Sequence, residues 1–393
     1  MDRELIVLRY HASLFEKELL FNCFILYRMV ELIFLDQIIP VEIIQFIYFL
    51  FFKLKIGEIY EIMRTKISCG RRSSVICYKG KLYIAGAWNP FDHYNYLFDK
   101  FKDCGITDVD FVGHSNSMCY AIFLKKNKAI YFSEWSTITA TDNSKSISFA
   151  EGDIHCDGDD IIEIKSGSGH TLLITKGKKL FGWGSNDCGQ LGLGSRQFQH
   201  SIQQIPINNV ISFECGSTHT LVLTNQGLFQ CGDNHMMDIA YEDILTLTLI
   251  NINNVISFAC GYQYSLVLTT EGLFYYGKIM NETDNDFVPY FSKIELPSLN
   301  IIKLSCAYKY SLILTTKGLY QLQLGLSYPQ FNISKYFHIN RIRVENVLDI
   351  NCGKEHDIIL TKEGLFGSGL NSSYQLGLGD NRGRFHYEKI ELI

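Results

Sequence analysis

The sequence predicts an all-β fold, a seven-bladed β-propeller of four-stranded blades preceded by a short α-helical amino-terminal segment. Three observations predict it. A small anchor residue followed by a short apolar run recurs seven times, at intervals of 43–54 residues. These runs are of strand length and are bounded by turn residues. Residues 1–55 are also apolar but lack the recurring unit, so the chain divides into a helical segment, 1–55, and a ring, 56–393.

In the amino-terminal segment, Leu19, Leu20, Cys23, Phe24, Tyr27 and Val30 fall three or four residues apart, the period of a helix face. The longest uncharged run, Ile43 to Phe52, is too short to cross a bilayer, and Glu4 and Arg9 interrupt any secretory signal. Pro40 followed by Glu42 is an ordinary helix start. The run from Ile39 to Leu50 also resembles the opening of an F-box. That resemblance implies that a helix over 39–52 docks a ubiquitin-ligase adaptor while the ring carries the substrate. The plain reading of the same residues is a helix packed against the ring.

The anchors are Gly70, Gly113, Gly167, Gly216, Gly261, Ala307 and Gly353, one in each of repeats one to seven. Runs such as Leu221–Thr224, Leu266–Thr269, Leu312–Thr315 and Ile358–Thr361 follow them. A turn, with Gly in all repeats but the second, leads into an apolar-aromatic pair such as Leu180–Phe181 or Leu228–Phe229. A further strand precedes the anchor, as in Val210–Phe213, Val255–Phe258 and Val347–Ile350. A fourth comes earlier still, as in Ser292–Leu296, and is taken as the opening strand of the next blade. On that phase the last stretch, Tyr387–Ile393, has no blade of its own to open. It is expected to pair into the blade built from residues 61–86, so that strand 387–393 closes the ring.

Gly216 to Thr220 (Gly-x-x-His-Thr), Trp183–Asn186, Gly189–Gly194 and Gln375–Gly379 resemble repeats of the regulator of chromosome condensation family. Repeats one and two keep the phase without the His or the Gly-Gln-Leu-Gly element. The family's founding members are guanine-nucleotide exchange factors for a small nuclear GTPase, so the resemblance implies a propeller and, as one alternative, that activity.

The sequence itself points to a protein-interaction scaffold. No hydrolase or transferase residue order and no phosphate-cradling loop stands out, so no catalytic residue, cofactor or metal is expected. A net charge of −5 argues against direct binding to nucleic acid and favours a protein partner, a small GTPase or a ubiquitin-ligase adaptor among them. Of twelve cysteines, Cys69, Cys215, Cys260, Cys306 and Cys352 each precede an anchor, and no Cys-x-x-Cys occurs. That usage suits a reduced compartment, the cytoplasm first and the nucleus second. His170, His219, Tyr264, Tyr310 and His356 share one repeat phase and are expected to be hydrogen-bonding positions that tie blades together. The acidic stretch with Asp153, His155, Asp157, Asp159 and Asp160 lacks the bidentate ligand of a calcium loop. It is expected to be a solvated loop and, within 133–160, the candidate interaction loop.

Overall fold

The computed structural model describes residues 65–78, 81–87, 94–100, 111–114, 121–125, 128–132, 160–233, 243–278, 287–295, 300–324 and 337–392. Residues 1–55, expected to be helical, and the F-box-like stretch 39–52 within them lie outside the described residues. No helix occurs among the described residues.

These residues build a six-bladed β-propeller of four-stranded blades, which corrects the expected seven. The blades are those of repeats one, three, four, five, six and seven. Repeat two supplies only a three-stranded sheet, Phe111–His114, Ala121–Lys125 and Lys128–Phe132. Its first strand lies between the innermost strands of repeats one and three, Lys66–Cys69 and Ile161–Ser166.

The shortfall lies in repeat two, and the phase of the outer strand says where its fourth strand would come from. Each outer strand pairs with the hairpin before it, not with the blade after it. Phe287–Ile294 is antiparallel to Gly272–Lys278 in the blade of repeat five, with Leu273 opposite Ile294. A fourth strand for repeat two would therefore have to come from the chain after Phe132, and residues 133–159 are outside the described ones. The same phase corrects the closure. Arg384–Ile390 pairs with Gly364–Gly369, Leu365 opposite Ile390, and completes the blade of repeat seven instead of entering that of repeat one.

Local sequence explains the blade. The second strand of each is continuously apolar because it is covered by the sheets on both sides: Leu172 and Leu173, Val222, Val267, Ile313 and Ile359 are all buried. The outer strands are the exposed ones because one face meets water, and the first four residues of Phe337–Ile342 alternate between half-buried and exposed. Asn209, Asn254 and Asn346 hold left-handed backbone, φ 54–55°, immediately before the inner strands at Val210, Val255 and Val347. Asn tolerates that region better than most residues. Register shifts between third and fourth strands fall at glycines, for example between Gln230 and Gly232, where φ is 103°. A Cβ on Gly232 would lie 2.3 Å from the Thr218 carbonyl oxygen. The blade of repeat six has Gln323 at this place and its register runs unbroken.

Adjacent blades pack face to face. Leu221, Leu228, Phe258 and Val267 form one cluster across repeats four and five. Leu266 lies in the next, with Leu304, Ile313 and Leu322 of repeat six. Both Leu221 and Leu266 are fully buried. Leu221→Ala or Leu266→Ala is expected to cost roughly 2–5 kcal/mol through lost burial and the cavity left behind. Urea unfolding measures this, and a variant with the midpoint of the parent chain would contradict the packing.

Candidate functional site

From repeat three onward the recurring aromatic position fastens each blade to the next. His170 Nε2 lies 3.0 Å from Thr220 Oγ1, His219 Nε2 2.9 Å from Ser265 Oγ, and His356 Nε2 2.8 Å from Ser74 Oγ. The Tyr264 hydroxyl lies 2.8 Å from Ser311 Oγ and donates to the Tyr310 carbonyl at 2.6 Å. The Tyr310 hydroxyl donates to Asp357 Oδ1 at 2.5 Å. In every case the partner is the residue one place beyond the aromatic position of another repeat: Thr220, Ser265, Ser311, Asp357 or, across the seam, Ser74.

The cysteines before the anchors close these contacts into loops. Ser265 donates to Cys260 Sγ, and Cys260 donates to the Glu214 carbonyl of the previous blade. Ser311, Cys306 and the Ala259 carbonyl repeat the arrangement. Cys215 and Cys352 likewise donate to the carbonyls of Lys165 and Ser305. With the Ser265 proton committed to sulfur, His219 must donate through Nε2 and leave Nδ1 bare. Thr220, which donates to the Gln190 carbonyl at 2.7 Å, imposes the same tautomer on His170. Both Nδ1 atoms are buried without a partner.

The anchor must be small because the aromatic ring three residues on lies against it. A Cβ on Gly216 would fall 2.2 Å from His219 Cε1. Burial pushes the Cys69 and Cys306 thiols up to about 12, so they are hydrogen-bonding groups, not nucleophiles.

Further contacts line the inner strands. Lys165 reaches Glu214 of the next blade at 2.8 Å and Glu163 of its own at 3.0 Å. Burial opposes its charge, yet the two carboxylates outweigh burial and hold it above the ordinary lysine range. Lys303 pairs with Asp349 across the interface of repeats six and seven. The Gly-Gln-Leu-Gly element is a self-braced loop: Leu191 N–H donates to Asn186 Oδ1 and Asn186 Nδ2 to the Ser195 carbonyl. Asn371 does the same with Leu376 and Asp380.

The site with room for another molecule is one mouth of the ring, a cavity of about 240 Å³ where the turns between first and second strands meet. The residue just after the anchor faces it in every repeat but the second: Arg71, Ser168, Ser217, Tyr262, Tyr308 and Lys354. The mouth is two-sided. Ser168 donates to Ser217 at 3.0 Å on one side. On the other, Tyr262 and Tyr308 meet edge to face, ring centres 4.6 Å apart. Lys354 Nζ sits 4.8 Å and Lys309 Nζ 5.7 Å from the centre of the Tyr308 ring. Neither Arg71 nor Lys354 is paired with a carboxylate among the described residues, and the lining includes no Asp or Glu. No group of three or more His, Cys, Asp or Glu among the described residues could hold a metal ion.

The sequence reading placed its candidate loop elsewhere. Asp153, His155, Asp157 and Asp159 lie outside the described residues; Asp160 is exposed, its carbonyl accepting from Lys176 N–H at 2.8 Å. The mouth residues went unnoticed although their signal was present: each stands one place after an anchor, and repeats five, six, seven and one read Tyr, Tyr, Lys, Arg there.

The repeat itself is recognisable. Residues 179–223 match the family model described as Regulator of chromosome condensation (RCC1) repeat, and residues 161–190 match a second model of that description. Together the two matches span residues 161–223. The human probable E3 ubiquitin-protein ligase HERC6 is 26% identical over 203 residues, 44% of this chain but 19% of HERC6. Human Protein RCC2 is 41% identical over 71 residues, 17% of this chain and 14% of RCC2. The chain thus spans a small part of these relatives' lengths. Among solved structures, Prp20p from Saccharomyces cerevisiae superposes with a TM-score of 0.63 at 14% identity, over 84% of this chain and 88% of that one. Human WBSCR16 does so at 0.52 and 18% identity, over 83% and 82%. These likenesses establish the fold. The RCC1-repeat matches begin at residue 161 and do not reach the F-box-like stretch.

Proposed function

We propose that this chain is a protein-docking scaffold without catalysis of its own, and that the ring's mouth is its docking site. One observation carries the reading: the residue after each anchor, from six repeats, converges on a single cavity edged by tyrosines and unpaired cations. Tyrosine is enriched at protein interfaces because it combines a large apolar ring with a polar end. Blades fastened to one another hold those rings without further ordering on binding. A photo-crosslinking residue at Tyr308 of the full chain in cells is expected to yield adducts of discrete mass. The same residue at Lys317, in a turn at the opposite end of the second strand, is expected to yield none. Equal trapping from both positions, or none from Tyr308, refutes the mouth as the docking site.

A second reading is exchange-factor activity. It is supported by the repeats and by the fold shared with Prp20p, a protein reported to bind Gsp1p and histones. Its test is labelled-GDP release from a small GTPase of the Gsp1p kind. Acceleration by the purified chain would establish the activity, and an unchanged rate would remove it. The stretch 133–160 is the second contact we would expect in either case.

A further inference from the structure

We propose that the mouth receives an acidic, extended segment of a partner protein, its carboxylates on Arg71 and Lys354 and one apolar side chain on the Tyr262–Tyr308 pair. This rests on the scaffold reading and names the partner's chemistry.

Three observations carry it. The first is size. Small-molecule pockets run to roughly 300–1,000 Å³, whereas this cavity, at about 240 Å³, admits a side chain or two of a larger molecule. The second is charge. The chain as a whole is acidic, at −5, yet the described lining of the mouth has two cations and no carboxylate. Lys309, exposed beside Tyr308, adds a third positive group at the rim. The third is preparation. Lys354 is half-buried over the Tyr308 ring, and its backbone N–H donates to the Gly70 carbonyl at 3.1 Å. The ammonium therefore loses little freedom when a carboxylate arrives. The Ser168–Ser217 side offers hydroxyls to a passing backbone. Nucleic acid is the other anionic polymer, but binding through phosphates typically uses about 6–10 of them. Three cations on an acidic ring suit a few carboxylates better.

The test uses the full chain and fluorescence anisotropy. The probe is a labelled octapeptide of alternating Asp and Glu with one central Trp, compared with its Asn/Gln counterpart and with a single-stranded oligonucleotide of similar length. The acidic peptide is expected to bind at least about tenfold more tightly than the neutral one, a difference of about 1.4 kcal/mol. Added salt should erode that preference. Lys354→Glu and Arg71→Glu are each expected to weaken the acidic peptide by about tenfold or more, and Tyr308→Ala to weaken both peptides. Lys317→Glu is the control expected to change nothing. Lys354→Gln, which keeps the length of the side chain without the charge, covers the case in which reversal disturbs the fold, and thermal melting confirms that each variant is folded. Equal binding of the two peptides, full binding by folded Lys354→Glu, or preference for the oligonucleotide overturns the proposal. If Tyr308 still traps a partner in cells while the acidic peptide shows no preference, the acidic-segment inference falls and the scaffold reading stands. If Tyr308 traps nothing, both fall.

Discussion

On acidification from about pH 7 to about pH 4, the ring is expected to lose a net ~3 kcal/mol of stability, the balance of two histidines against one aspartate. Burial lowers His170 to about 3, with His219 adding to the shift, and it lowers His219 to about 4 against the opposing pull of Asp233. Their folded values lie below the ordinary 6.5, so the unfolded chain takes up protons first. Stability from this source is present above about 6.5 and is lost as pH falls toward the folded values, roughly 3 kcal/mol per histidine by about pH 4. Asp357 works the other way. Burial raises it to about 6, although the Tyr310 and Tyr387 hydroxyls that donate to it pull it down. Its contribution is full below the ordinary value near 3.8 and is lost as pH rises through about 6. Acidification therefore returns about 3 kcal/mol and offsets one histidine. Asp357→Asn removes that offset, so the variant is expected to fall by about 6 kcal/mol over the interval in which the parent falls by about 3. Urea midpoints at a series of pH values measure both. Parallel curves for parent and variant would show that Asp357 does not titrate in this window.

His356→Ala is expected to cost about 3–5 kcal/mol, the range for removing a large buried ring, and to do so where the ring is joined by side contacts alone. Among the described residues, no strand crosses from the blade of repeat seven into that of repeat one. The described junction includes His356 against Ser74 at 2.8 Å, Cys69 N–H on Asn351 Oδ1 at 2.9 Å, and Lys354 N–H on the Gly70 carbonyl. Emptying the His356 site leaves a cavity and takes a partner from a buried hydroxyl. Hydrogen exchange in the folded variant is expected to quicken in Lys66–Cys69 and Val347–Cys352 ahead of the other inner strands. His170→Ala, with the same local loss between two chain-linked blades, should quicken exchange around its own junction instead. Unchanged exchange in the two seam strands of His356→Ala would mean that the junction is held by something else.

How much of this was legible differs between levels. The anchors, the apolar runs and the shared phase of His170, His219, Tyr264, Tyr310 and His356 could be read directly, because a repeat writes the same physical requirement several times. The outer strand was misassigned because periodicity gives spacing but not partners. Ser292–Leu296 sits between two hairpins, and only the pairing of Leu273 with Ile294 shows which one it joins. From that ambiguity came the closure by residues 387–393; the count of seven came from the anchors, and repeat two has an anchor but supplies three strands among the described residues. The part the thiols play was not legible, since nothing local to Cys260 reveals that its acceptor is the Glu214 carbonyl 46 residues away. The mouth was missed for the opposite reason. Its residues differ from repeat to repeat, and a search for sameness passes over the position where the repeats diverge.

Because each outer strand pairs with its own hairpin, every described β-sheet hydrogen-bond ladder begins and ends within one repeat length of chain. Gain or loss of a whole repeat by duplication or deletion would therefore break no ladder. It would only ask the remaining junctions to adopt a new curvature, and those junctions are built from interchangeable parts: an aromatic residue, a small polar group and a thiol. In such an architecture the number of blades can drift across descent while each blade stays intact. The residue after an anchor bonds its neighbour mainly through the backbone, as Lys354 N–H does on the Gly70 carbonyl, so its side chain can change and give the mouth a new specificity.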